Sequence, residues 1–189
     1  MQAESLEGGF PAPVIDAARA FRAILDAMAR PGTIGRLDRA APPAPLSPAA
    51  GAVLLTLADP TTPVFLAPSH DSAALRGWIT FHTGAPFADA GAAAFAVGTW
   101  EALLPLDRYP QGTPEYPDRS ATLIVERADL APQGARLTGP GIDGAAALNL
   151  PDPAAHAWVR RQFPLGIDML FCAGDRIAGL PRSTRVEAG

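Results

Sequence analysis

The chain has 189 residues, a formal net charge of −4, 48% hydrophobic residues and only 18% charged ones. It contains no lysine, since all 15 basic residues are arginine; this excludes a pyridoxal-phosphate imine or a Walker-type phosphate loop built by this chain. The acidic balance without a basic run argues against nucleic acid and anionic membranes as partners, and no apolar run approaches the ~20 residues that cross a bilayer.

In chain order, Val14, Ala18, Phe21, Leu25 and Met28 recur at spacings of four and three, which predicts a first helix with one apolar face and with Arg19, Arg22 and Asp26 opposite it. Arg30-Pro31-Gly32 ends it. Residues 40–47 (AAPPAPLS) read as a loose, Pro-rich connector. Ser47 as N-cap and Pro48 at the first helical position open a second helix through Val53, Leu54, Leu55 and Leu57. A short buried strand follows at 63–66, then a third helix capped by Asp71 and carrying Leu75, Trp78 and Ile79.

Residues 93–97 predict a strand, residues 100–104 leave helix and strand open, and residues 109–118 form a loop dense in Pro and Gly. Residues 121–126 alternate and give the clearest strand; others follow at 135–138 and 146–150. Asp152 and Pro153 open a last helix, with Trp158 and Val159 inward, His156 facing solvent, and Arg160 and Arg161 near its C-terminal end. Residues 167–172 and 177–180 form a hairpin about Gly174-Asp175. The fold class is α/β, three-layer αβα with a mixed sheet, in one domain over 1–189. The start, MQAESLEGGF, is acidic and carries no signal pattern, which predicts a cytoplasmic protein. A single cysteine, Cys172, rules out an intrachain disulfide.

The chemistry-bearing strings are few. Gly139-Pro140-Gly141-Ile142-Asp143-Gly144 spells G-x-G-x-x-G, but six residues before Pro151 leave no room for the helix a dinucleotide site requires, so it reads as a β-turn. His70, His82 and His156 show no metal-ligand spacing; His82, at an element end, is the one candidate for acid–base work. Cys172 lies among apolar neighbours and reads as core. No G-x-S-x-G elbow exists. Arg182, Thr184 and Arg185, with Ser183 between, are the candidate substrate contacts: two guanidiniums and two hydroxyls in four residues suit a phosphate or phosphonate. A solvated strand, or arginines that meet a partner's carboxylates, explains the same string. The carboxylates of the 113–118 loop are a weaker candidate. No catalytic residue, metal site or cofactor site is predicted.

Several strings read together resemble a known family. They are Ala27-Met28-Ala29-Arg30-Pro31-Gly32, Leu54-Leu55-Thr56-Leu57-Ala58-Asp59, Phe81-His82-Thr83, Leu137-Thr138-Gly139-Pro140-Gly141-Ile142, Phe163-Pro164-Leu165-Gly166-Ile167-Asp168 and Leu180-Pro181-Arg182-Ser183-Thr184. In this order, over nearly the whole chain, they resemble the PhnH family, whose members are components of the bacterial carbon–phosphorus lyase system. Ser183 departs from a pattern that tends to threonine and keeps the hydroxyl. The resemblance implies a fold related to pyridoxal-phosphate-dependent transferases without the cofactor site, and a core complex with G, I and J subunits. It further implies homodimer formation and a role in coupling an alkylphosphonate to ribose C1′ of a nucleoside triphosphate as the base leaves. It transfers no catalytic residues, so an accessory subunit is the first expectation. A free-standing enzyme that binds a phosphorylated small molecule through Arg182 and Arg185 is the second. An interaction module with an exposed apolar patch is the third.

Overall fold

The computed structural model describes residues 7–189; most of the acidic start, residues 1–6, lies outside them. Five helices, α1 (Pro13–Ala29), α2 (Pro48–Leu57), α3 (Ala73–Thr83), α4 (Trp100–Leu103) and α5 (Pro153–Arg161), are described among these residues. They alternate with strands β1 (Gly35–Arg36), β2 (Val64–Leu66), β3 (Phe95–Thr99), β4 (Thr122–Glu126), β5 (Ala135–Thr138), β6 (Ala146–Leu148), β7 (Asp168–Ala173), β8 (Arg176–Leu180) and β9 (Arg185–Glu187).

The main sheet has the order β1-β8-β7-β4-β3-β2. Strands β2, β3, β4 and β7 are parallel, and β8 runs antiparallel between β7 and β1, so the sheet is mixed as expected. Side chains alternate across it. Ile124, Leu170, Cys172 and Ile177 join a core with α1, α2 and α3. Leu123, Val125, Met169, Phe171, Ala178 and Leu180 join a second core with α4, α5 and a small sheet of order β6-β5-β9. The layers are therefore helices, main sheet, and a mixed layer of short helices and a second sheet. β4 shows what central position does to pattern: Leu123, Ile124 and Val125 are all buried because both faces are covered.

Local chemistry accounts for several helix ends. The Ser47 hydroxyl accepts from Ala50 N–H at 3.2 Å and Pro48 starts α2, as the sequence predicts. The Asp152 carboxylate accepts from Ala154 and Ala155 N–H to start α5. For α3 the cap is Ser72, whose hydroxyl accepts from Leu75 N–H, and not Asp71 as expected; Asp71 instead pairs with Arg76. Residues 100–104, left open by the sequence, begin as α4. The 40–47 connector packs against protein: Ala40 and Leu46 are buried and Pro42 lies on Gly51 of α2.

The largest correction concerns α1. Its buried residues are Asp16, Ala20, Ile24 and Ala27. The predicted apolar stripe points outward, with Val14 85% exposed, Leu25 56% and Phe21 52%; Met28 alone packs partly against the core. Arg19 and Arg22 are exposed beside the stripe rather than buried behind it. The cause is close approach. α1 lies on β8 where Gly179 faces it, and a Cβ at Gly179 would sit 2.6 Å from the Ala27 carbonyl oxygen. At that distance Ala20 and Ala27 take the contact with Ile24 beside them, and the bulkier Val14, Phe21 and Leu25 face outward.

A second feature concerns crossovers. The chain steps across the sheet in one direction from β2 to β3 to β4, yet α3 packs on one face and α4 on the other. The two crossovers are therefore of opposite hand, although such connections are right-handed in about 98% of cases. The divergence puts a fork at the carboxyl ends of β2 and β3, the kind of place where α/β sheets take ligands.

Candidate functional site

At the fork, the chain leaving β2 runs through Ala67, Pro68, Ser69 and His70. The Ser69 hydroxyl lies 2.9 Å from His70 Nδ1 and accepts from Thr99 N–H, at the end of β3, at 3.1 Å. Ser69 thus ties the two strand ends together, and Ala67 and Ser69 fill the space over Gly98. His70 is buried, and burial holds it below the ordinary imidazole pKa against a smaller opposite pull from the Pro45 carbonyl.

The neighbouring strand end carries Glu126. Its carboxylate accepts from Ser47 N–H at 2.7 Å, at the start of α2. Burial pushes its pKa up to about 6, and the contacts with Ser47 pull the other way. Cys172 is in register with Glu126 on β7 and is fully buried; burial first, then the Glu126 charge, raise its thiol pKa well above the ordinary value. A thiol so placed is core and not a nucleophile. Sequence reasoning singled out neither Ser69, His70 nor Glu126. Each is polar at the end of a buried strand, which is the signal that marks them.

The predicted anion segment lies elsewhere. Arg182 follows β8 and reaches back to the start of β7 and the approach to β4. Its backbone N–H and Nε donate to Asp168 Oδ1 at 2.8 and 3.2 Å, and its terminal nitrogens donate to Asp168 Oδ2 at 2.6 Å, Ser120 Oγ at 2.6 Å and the Pro117 carbonyl at 2.7 Å. Four of its five guanidinium N–H groups are thereby engaged. Thr184 is buried, and its hydroxyl has no hydrogen-bond partner among the described residues. Arg185 is exposed at the start of β9, opposite Thr138 of β5. The structure thus places Arg182 and Thr184 inward and Arg185 outward.

Thr184 and Arg182 line a cavity of about 10 Å³ together with His156. His156, expected at the surface, is 2% exposed. Its ring lies between Trp100 and Phe171, with centroids at 5.0 and 5.7 Å. Burial, helped by Arg127 and opposed by Asp152, lowers its pKa to about 4, so it is neutral at pH 7. Trp158, expected inward, is half-buried: it packs against the second core and also lines an apolar cleft of about 340 Å³ with Leu104, Pro105 and Ala155. His82 ends α3 with its ring 5.0 Å from Trp78 and 4.9 Å from Phe81, and Gly9 passes directly against it. The glycine-rich string at 139–144 joins antiparallel β5 and β6 as a turn, with Gly139, Gly141 and Gly144 at positive φ, in agreement with the turn reading.

A more polar cleft, of about 290 Å³, lies where α1 meets β1 and is lined by Phe10, Arg19, Arg36 and Arg39. Arg36 pairs with Asp175 at 2.6 Å and Arg39 approaches buried Asp16 at 3.9 Å, so most of its charge is answered internally. Among the described residues no group of three or more His, Cys, Asp or Glu is placed to hold a metal ion. No helix of the described residues is long and apolar enough to cross a membrane. Ser69 and Glu126 at the fork and Arg182 at the turn bind protein groups, whereas His70 Nε2 and the Thr184 hydroxyl are buried without a partner among the described residues.

The comparisons with known proteins agree on one family. The family described as "Bacterial phosphonate metabolism protein (PhnH)" matches residues 8–187. The chain is 43% identical, across 98% of both sequences, to the alpha-D-ribose 1-methylphosphonate 5-triphosphate synthase subunit PhnH of Rhizobium meliloti (strain 1021). It is 32% identical, over 89% of its own length and 84% of the relative's, to HtxG of Stutzerimonas stutzeri, provisionally described as a C-P lyase subunit. A match of this extent means that the chain belongs to the PhnH family of bacterial phosphonate metabolism proteins.

Proposed function

We propose that this chain is a subunit of a carbon–phosphorus lyase core complex, needed for the step that couples an alkylphosphonate to ribose C1′ of ATP with release of adenine. The observation that carries the reading is the end-to-end identity with a relative named as a subunit of ribose 1-methylphosphonate 5-triphosphate synthase. In this reading the chain is one PhnH-like domain acting in the cytoplasm, its partners are the G, I and J subunits, and it forms a homodimer when alone. It belongs to a transferase assembly as an accessory component. The side chains fit that assignment: His70, His156 and Cys172 are buried, and His82, the one acid–base candidate, is half-buried against Trp78, Phe81 and Gly9. A transferase-like ancestry of the fold belongs to the same proposal and fits a chain without lysine.

Deletion of the gene should abolish growth on methylphosphonate as sole phosphorus source, and the intact chain should restore it. Growth of the deletion strain at the wild-type rate would refute the reading. Any direct contact with a phosphorylated substrate through the 182–185 segment would fall to Arg185, with Arg182 and Thr184 shaping the turn behind it. Calorimetry with ATP and with methylphosphonate, on the wild type and on Arg185→Ala, tests that part alone.

A further inference from the structure

The outer face of α1 is the least economical surface in the molecule. Val14, Ala18, Phe21 and Leu25 fall one above the other over three turns, about 16 Å of helix, and all four are exposed. An amphipathic helix normally buries such a stripe; here the alanine face is buried instead. Next to the stripe a shallow groove of about 400 Å³ is lined by Val14, Ile15, Ala18, Arg19 and Arg22. Its wall is therefore apolar on one side and cationic on the other.

Charge narrows the choice of occupant. Arg19 and Arg22 have no carboxylate within ion-pair distance among the described residues. The two acids of α1 are already engaged. Asp26 pairs with Arg30 at 2.7 Å, and buried Asp16 accepts from Ala12 N–H at 2.9 Å. A second copy docked α1 to α1 about a two-fold axis would bring four arginines together and offer them no unengaged carboxylate. The groove suits a different chain, one whose apolar ridge is flanked by acids.

We infer that the outer face of α1 seats another subunit of the assembly, through an apolar ridge that fills the Val14–Phe21–Leu25 stripe and carboxylates that meet Arg19 and Arg22. This rests on the proposed function, since it presumes a complex with other chains. The test is co-purification and binding affinity with the co-expressed G, I and J subunits. Phe21→Ser/Leu25→Ser and Arg19→Glu/Arg22→Glu should each weaken binding about ten-fold or more. Phe81→Ser, an exposed aromatic on α3, should bind as wild type. Only the arginine variant should lose the salt dependence of the affinity.

Unchanged melting temperatures separate these effects from misfolding. If the wild type binds and both α1 variants bind equally well, the inference is overturned while the proposed function stands. If the wild type does not bind at all, both fall. A homodimer seen by light scattering that the α1 substitutions dissociate would give the face to a second copy and overturn the inference. Tighter partner binding by a chain beginning at residue 7 would give it to the first six residues, with the same consequence.

Discussion

Arg182 and the pair Arg19–Arg22 carry the same guanidinium in opposite circumstances. Arg182 is one-seventh exposed and spends four N–H donors on Asp168, Ser120 and the Pro117 carbonyl, joining three segments that meet at one end of the sheet. Arg19 and Arg22 are exposed, unpaired among the described residues and bordered by apolar side chains. An arginine whose donors are met inside its own chain maintains architecture, whereas arginines left unmet beside an apolar stripe mark a surface that something else completes. The contrast breaks most visibly on stability. Arg182→Ala leaves Asp168 partly buried without its cation and should cost about 3–5 kcal/mol, read from urea unfolding. Arg182→Lys should recover only part of this, because an ammonium cannot reproduce the two-pronged contact. A loss under about 1 kcal/mol for the alanine variant would remove the distinction between the two kinds of arginine.

The region behind Arg182 also predicts a pH response. His156 titrates at about 4 when folded, against an ordinary 6.5. Below pH 6.5 the unfolded chain takes a proton that the folded chain refuses, so stability falls as pH drops from 6.5 to 4. The full span is on the order of 3 kcal/mol. Glu126 acts in the other sense. Its folded pKa of about 6 lies above the ordinary 4.5, so the folded chain keeps a proton that the unfolded chain releases, and stability falls as pH rises from 4.5 to 6. The two slopes oppose and largely cancel between pH 4.5 and 6, so the net acid-side loss comes from the two ends of the wider histidine window. His156→Phe keeps the packing between Trp100 and Phe171 and should abolish the acid-side loss, leaving the opposite Glu126 slope visible in unfolding midpoints between about pH 4.5 and 6. An unaltered profile would mean that the imidazole is not held neutral.

How much of this was legible in sequence depends on the range of the interaction. Caps and local periodicity were readable: Ser47-Pro48, Asp152-Pro153 and the β7–β8 hairpin stand where their residues predict. β1 and β9 are two and three residues long and carry no period to read. The Arg182 hub was visible only as a basic string, because Asp168 lies 14 residues away and Ser120 lies 62 away, and no spacing rule links them. The burial of His156 comes from Trp100 and Phe171, which lie on other elements far along the chain, so no local pattern announces it. The facing of α1 was misread for a reason found on another element. Gly179, on β8, looks like an ordinary strand glycine until α1 is laid across it. Gly179→Ala puts a methyl against the Ala27 backbone and should destabilise by about 1–3 kcal/mol through overpacking. A neutral substitution would show that the helix can lift off the sheet, and would remove the steric reason for its inverted face.

The smallest expected effect discriminates most. If α1 is seated by its alanine face alone, Phe21→Ser/Leu25→Ser touches nothing inside this chain, and its melting temperature should match the wild type, within about 0.5 kcal/mol per site. Met28 supplies the internal control. It packs partly against the core from the same stripe, so Met28→Ser should destabilise where the pair does not. A double variant as unstable as Met28→Ser would show that Phe21 and Leu25 already have cover within the chain. The comparison with Arg182 would then lose its second half, since the outer face of α1 would be architecture as well.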